Sequence, residues 1–298
     1  MSVKLARADR RAAWLFMAPM IIAMLVVAVW PLARTFYFSF TDAYLDDPTN
    51  FSLVGIDNFL EVLDDHTWWI ATRNTLVFAS ISVAIETVLG LAIALLINQA
   101  IPGRGLVRAA ILVPWAIPVV VATKIWEWML NDQFGVLNQM LIALGLVDHG
   151  IAWTASGTLI MGVVIFIDVW MTTPFMVLLI LAGLQMIPGE IMEAAEVDGI
   201  PGWKRFWSIT LPLLKPAIGV AVLFRVLDAL RMFDLAYVLA ASSEQVMTVS
   251  IYARNRLISF QELGIGSAAS TWVFLLVAFI AILVIGVLRL DRAAGEAA

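Results

Sequence analysis

The sequence predicts an all-α membrane protein of six transmembrane helices. Three observations predict it: an apolar bias larger than a soluble core needs, six long runs almost free of charge, and loop cations gathered on alternate sides of those runs. Of 298 residues, 62% are apolar and only 14% are charged, and the mean hydropathy is +0.94. A soluble domain is about half apolar and about a quarter charged. The chain has no cysteine, which removes disulfide frameworks, thiolate metal sites and cysteine nucleophiles. The net charge of −5 matters less than where the charges fall.

A bilayer core takes about 20 apolar residues of helix. Residues 12–33 hold no Asp, Glu, Lys or Arg. Residues 74–98 hold only Glu86, and 105–129 carry Lys124 and Glu127 near their far end. Residues 158–187 hold only Asp168. Residues 213–240 are the weakest span, with Arg225, Asp228, Arg231 and Asp234 inside, and 267–288 are charge-free. Six spans put both termini on one side. The first run follows basic residues, as a signal peptide would. It is too long for an h-region and ends at Trp30-Pro31-Leu32-Ala33-Arg34 without a small-x-small site, so it reads as a retained helix. The boundaries are a tail over 1–11, a six-helix domain over 12–290 and a second tail over 291–298. His66 and His149 stand beside acids in polar stretches and read as solvated loop residues.

Loop charge sets the orientation. Lys4, Arg7, Arg10, Arg11, Arg104, Arg108, Lys204, Arg205, Lys215, Arg289 and Arg292 lie on one side. The opposite loops, about 35–72, 130–157 and 241–266, hold only Arg254 and Arg256, with Arg34 and Arg73 at edges. Both termini and the 188–216 loop are therefore expected in the cytoplasm of a bacterial cell, the chain being multi-pass in the inner membrane. The outer loops are acidic, with Asp42, Asp46, Asp47, Asp57, Glu61, Asp64, Asp65, Asp132 and Asp148.

The 188–216 loop is too charged to lie in lipid, so it must be structured. Pro188-Gly189-Glu190 opens a helix, where proline is tolerated and an acid suits the positive end. Glu190, Glu193, Ala194 and Val197 share a face, and Ala194-Ala195 keep the helix thin. Gly199 can take positive φ and stop it. Pro201-Gly202 turns the chain into a second piece with Trp203, Phe206 and Trp207 on an aromatic face, before Leu211-Pro212 and Pro216. An interfacial lipid-binding helix usually carries Lys and Arg. This one carries Glu190, Glu193, Glu196 and Asp198, which favours a protein partner.

Glu193-Ala194-Ala195, then Asp198-Gly199, then Ile209-Thr210-Leu211-Pro212, resembles the EAA motif of ABC importer permeases. The resemblance implies that this loop docks on an ATP-binding subunit, with Glu190, Glu193, Ala194, Ala195, Asp198 and Gly199 as coupling residues. Leu112-Val113-Pro114-Trp115-Ala116-Ile117-Pro118, Phe134-Gly135-Val136-Leu137-Asn138, Val169-Trp170-Met171-Thr172-Thr173-Pro174-Phe175-Met176 with Ala182-Gly183-Leu184, and Phe224–Asp234 resemble carbohydrate-type permeases of the maltose/trehalose/glycerol-phosphate kind. Together they cover roughly residues 10–290. The implied fold is that of type I ABC importer permeases. Where many relatives carry a Gly-rich TGGGP, this chain has Ala240-Ala241-Ser242-Ser243-Glu244.

The resemblance implies a solute site at Trp115, Asp168, Met171, Thr172, Phe175, Arg225, Ala229 and Met232, to which Asp228 is added. Charges at membrane depth face a bundle interior or a wet cavity. Arg225, Asp228, Ala229 and Met232 are expected on one helical face, and Asp228 can pair with Arg225 or Arg231. Structural pairing and solute contact both remain open for these charges. Asp168 can accept from paired hydroxyls, Arg225 can donate, and Trp115 can stack on a pyranose. Asp168 and Arg225 are expected to face a shared wet cavity, and Glu86 to make a buried interhelical hydrogen bond. The implied partners are a second permease, a dimer of ATP-binding subunits, an extracytoplasmic sugar-binding protein and lipid, with no nucleic acid. The chain lacks GxxxxGK[ST], so ATP and Mg²⁺ would belong to the ATPase subunits and no cofactor to this chain. A secondary transporter built from inverted repeats is the alternative, against which the acidic loop argues. An intramembrane enzyme finds no HExxH, GxSxG or metal-ligand cluster to support it.

Overall fold

The computed structural model describes residues 3–99, 102–155, 157, 159–240 and 243–288. The side chains of Lys4, Arg7, Arg10 and Arg11, the residues Arg289 and Arg292, the tail 291–298 and Ala241-Ser242 lie outside what is described. The described residues are nearly all helical, with a single isolated β-bridge between Thr41 and Leu53. Five helices among them are long and apolar enough to cross a membrane: Ala12–Phe38, His66–Asn98, Ile160–Gln185, Gly202–Ala240 and Leu263–Val287. A sixth crossing exists when the bent pair Arg104–Ala116 and Val119–Met129 counts as one span.

The chain divides into two compact units. The first takes residues 1–65 and 253–274. In it α1 (Val3–Met24) runs through π-helical turns at Leu25–Val29 into α2 (Trp30–Phe38), and a short α3 covers Asp57–Asp64. Asn58 ties this unit together, donating through Nδ2 to the carbonyls of Ser39 and Thr41 at 3.0 and 2.7 Å. Arg256 pairs with Asp65 at 2.6 Å and Glu262 at 3.0 Å, so one of the few cations of these loops neutralises local acids.

The second unit takes residues 66–252 and 275–298 and holds most of the other helices. They are α4 (His66–Asn98), α5 (Arg104–Ala116), α6 (Val119–Met129), α7 (Val136–Ala143), α8 (Ile160–Gln185), α9 (Gly189–Val197), α10 (Gly202–Arg205), α11 (Leu211–Ala229), α12 (Asp234–Ala240) and α13 (Val249–Arg254), and α14 (Leu263–Leu288) ends in it. The centre is α8, apolar all round as a buried span should be. Two glycines let its neighbours approach. A Cβ on Gly90 would stand 2.8 Å from the Met176 Cβ, and one on Gly183 would collide with Ala217. Close backbone approach through small residues is how membrane helices gain packing where water supplies no drive.

Three sequence expectations are corrected. The run 74–98 belongs to a helix that already begins at exposed His66. The run 105–129 is not one straight span: α5 and α6 meet at 89°. The cause is Pro118, which lacks an N–H and pushes the residue before it out of the helical region; Ile117 is extended at ψ 131° and Pro118 at ψ 136°. The run 213–240 starts earlier, at Gly202, and breaks after Ala229. Residues 230–233 tighten into i to i−3 turns, with Arg231 N–H on Asp228 O and Met232 N–H on Ala229 O. The Thr248 hydroxyl donates to the Met232 carbonyl at 2.9 Å and so satisfies a group that a continuous helix would have bonded itself.

Candidate functional site

Three helices of the second unit each bring a charge to one point. Glu86 stands about two thirds of the way along α4, Asp168 about one third of the way along α8, and Arg225 one turn before the end of α11. Arg225 donates through Nε to Glu86 Oε2 at 2.5 Å, and through Nη2 to Glu86 Oε1 at 3.0 Å and Asp168 Oδ2 at 2.5 Å. Its Nη1 reaches Asp228 Oδ2 at 2.8 Å. The Thr172 hydroxyl lies 2.8 Å from Glu86 Oε1 and 2.6 Å from the Asp168 carbonyl. Glu86 is fully buried and Arg225 is 2% exposed, whereas the Asp228 side chain is 69% exposed. The fork between a guanidinium and a carboxylate is the strongest polar geometry a dry interior offers. A lone charge at this depth costs about 2.5–3.5 kcal/mol on insertion scales, and the pairing removes most of it.

Asp228 therefore chooses Arg225 over Arg231. The expected interhelical bond of Glu86 is present and is larger than expected, since Glu86 takes two of Arg225's donors. The cavity beside the cluster is narrow, about 150 Å³. At about 30 Å³ per water it has room for roughly five waters, and ligand pockets begin near 300 Å³. Seven of the nine candidate solute residues line it: Asp168, Met171, Thr172, Arg225, Asp228, Ala229 and Met232. Trp115 and Phe175 do not. Trp115 lies in the last turn of α5 and stacks on Phe175, with centroids 5.8 Å apart and planes 28° apart. Met232 reaches the cavity from the break, not from the helical face of Arg225.

The acidic loop folds as its residues suggest. Pro188 caps α9, and Gly199 takes φ +66°. Ile200 N–H bonds Ala195 O at 3.0 Å and Gly199 N–H bonds Glu196 O at 3.0 Å, the paired bonds of a Schellman C-cap. Glu190, Glu193, Ala194, Asp198 and Gly199 are exposed. Ala195 is buried, so its methyl faces inward and only its neighbours present a surface. Arg205 lies 3.7 Å from Glu196, which ties the second piece to the first, and within the second piece Trp203 packs edge-on against Trp207.

Residues 86–293 match the family described as "Binding-protein-dependent transport system inner membrane component". The chain belongs to that family. It is 39% identical over 294 residues to a trehalose/maltose transport system permease protein of Thermococcus litoralis, covering 97% of both chains. It is 38% identical over 289 residues to a trehalose transport system permease protein of Mycobacterium tuberculosis, covering 97% of this chain and 92% of that one. A sulfoquinovosyl glycerol transport system permease protein of Agrobacterium fabrum is 37% identical over 270 residues, with 90% and 87% covered. The fold is that of ABC importer permeases. It matches a chain of a bacterial ABC transporter involved in the import of the acidic polysaccharide alginate with a TM-score of 0.82 at 22% identity, covering 95% of this chain and 98% of that one. The chain is thus a multi-pass inner-membrane importer permease.

Sequence reasoning missed several cavity residues in this permease. Val119, Arg231, Phe233, Asp234 and Leu235 also line the space. Val119 was hidden by the bend at Pro118. The other four were hidden by the break, because a continuous helix turns Arg231 and Phe233 away from Arg225. Nothing between Ala229 and Phe233 is glycine or proline, so no residue there marks the break. Glu86 did carry a signal: a lone acid in a charge-free span demands a partner.

Proposed function

We propose that the chain is one of two permease subunits of an ATP-driven importer of a sugar, a di- or oligosaccharide or a glycoside. The observation that carries this reading is α9: an exposed acidic helix, rigidly capped at Gly199, held between two membrane spans. Such a helix suits the cleft of an ATP-binding subunit better than lipid, and a rigid cap lets it push on α11 as a lever. The sugar assignment is supported by relatives named for trehalose and maltose that match nearly the whole chain, and by a cavity whose carboxylates suit hydroxyl groups. A homologous permease completes the path, a dimer of ATP-binding subunits holds ATP and Mg²⁺, and an extracytoplasmic binding protein delivers the solute. The termini and the 188–216 loop face the cytoplasm, where the loop cations gather.

The test is reconstitution of the full complex in lipid nanodiscs with its binding protein. Solute-loaded binding protein is expected to raise ATP hydrolysis several-fold. Equal hydrolysis with loaded, empty and omitted binding protein overturns the reading.

A further inference from the structure

We propose that Arg231 and Phe233, on the break after α11, are the side chains of this permease that recognise the solute, and that the solute is a neutral, hydroxyl-rich sugar; this rests on the sugar-importer reading above. Two features of Arg225 disqualify it as the solute donor. Its guanidinium is almost wholly buried, and all three of its nitrogens are engaged by Glu86, Asp168 and Asp228. Arg225 is a positioning residue that holds those carboxylates. Arg231 is the opposite case. It is exposed, lines the same cavity and makes no ion pair among the described residues. Its Nε is fixed on the Leu227 carbonyl at 3.1 Å, which steadies the stem and leaves the two Nη groups as donors.

Phe233 supplies what Trp115 does not. Its half-buried ring lines the cavity and is stacked on Tyr237, with centroids 4.9 Å apart and planes 18° apart. A ring held in that way offers a fixed platform to the C–H face of a pyranose. The carboxylates of Asp168, Asp228 and Asp234 line the same space. A sugar hydroxyl both donates and accepts, and this set provides both functions beside an apolar plate. With every group ionised, three carboxylates against two guanidiniums, with Glu86 behind them, leave the site net acidic. An anionic solute meets repulsion there, and a neutral one does not.

The experiment uses the complete complex in proteoliposomes with enclosed ATP, and three labelled probes: trehalose, maltose and a phenyl glucuronide. The readout is solute moved per ATP hydrolysed, which a merely structural defect lowers in both terms together. Arg231→Gln and Phe233→Leu are each expected to lower that ratio at least fivefold for a transported neutral sugar, with Arg231→Lys between Gln and wild type. An unchanged ratio overturns the proposal. So does a parallel fall in transport and hydrolysis, or a loss of the second permease from the purified complex, which would make Arg231 an interface residue. Wild-type uptake of the glucuronide alone refutes the charge argument. Wild-type uptake of none of the three refutes the sugar reading itself, so the two failures are told apart before any variant is made.

Discussion

Replacing Arg225 with Gln removes the one cation that two buried carboxylates share. Glu86 loses two donors and keeps the Thr172 hydroxyl, and Asp168 loses a contact of 2.5 Å. Removing one partner of a buried ion pair costs about 3–5 kcal/mol, because the other charge stays in low dielectric. Against a total of about 5–15 kcal/mol, that is a large fraction of the fold's margin. At about 2–4 °C per kcal/mol for a chain of this order of size, the melting temperature should fall by about 6–20 °C. The assay is a thermal ramp on detergent-solubilised complex, read by the monodisperse fraction on gel filtration. A neutral triple variant, Glu86→Gln with Asp168→Asn and Arg225→Gln, should recover most of the loss, since no uncompensated charge remains. A double variant that leaves Glu86 ionised should recover less, because Glu86 is the better buried of the two acids. A single Arg225→Gln with wild-type melting behaviour would refute the account of the cluster.

Gly199→Val places a β-branched residue at φ +66° with nothing within 4 Å of its Cβ, so the cost is backbone strain of about 1–2 kcal/mol without a clash; the expected result is normal membrane abundance with lower binding-protein-stimulated ATP hydrolysis, and full stimulation contradicts the lever. Single cysteines at exposed Asn50 and exposed Ser208 test sidedness, since the chain has none of its own; an impermeant thiol reagent on whole cells should label the first and spare the second, and the reverse pattern inverts the topology. Gly90→Leu should cost about 1–3 kcal/mol by forcing α4 from Met176 on α8, whereas Gly162→Leu, with open space around it, should be tolerated; equal stability of the two variants contradicts the packing.

The spans were legible because the signal sums. A bilayer asks the same question of some twenty consecutive residues, and a charge-free run answers it many times over. The cap at Gly199 was legible for a different reason. Its geometry is local, and a glycine three residues after Glu196 in a short helix leaves few other outcomes. The bend at Pro118 sat between these cases. The proline was visible, but a proline permits kinks of many sizes, and its presence alone does not give the 89° observed.

The cavity beside the charge cluster was only half legible, and the reason lies in how partners are chosen. Sequence spacing ranks neighbours within one helix, so Asp228 was seen to pair with Arg225 or Arg231 and no further. Which of the two it takes is decided by Glu86, 139 residues away, whose carboxylate fixes the guanidinium of Arg225 in the plane where Asp168 and Asp228 also reach it. Once Arg225 is held, Asp228 has a partner at 2.8 Å and Arg231 is released to the cavity. The break at 230–233 is long-range in the same way, because the Met232 carbonyl finds its donor in Thr248. The buried acid of α4, the residue whose role was least defined by sequence, thereby determines which arginine is locked in the buried cluster and which one is left to face the cavity.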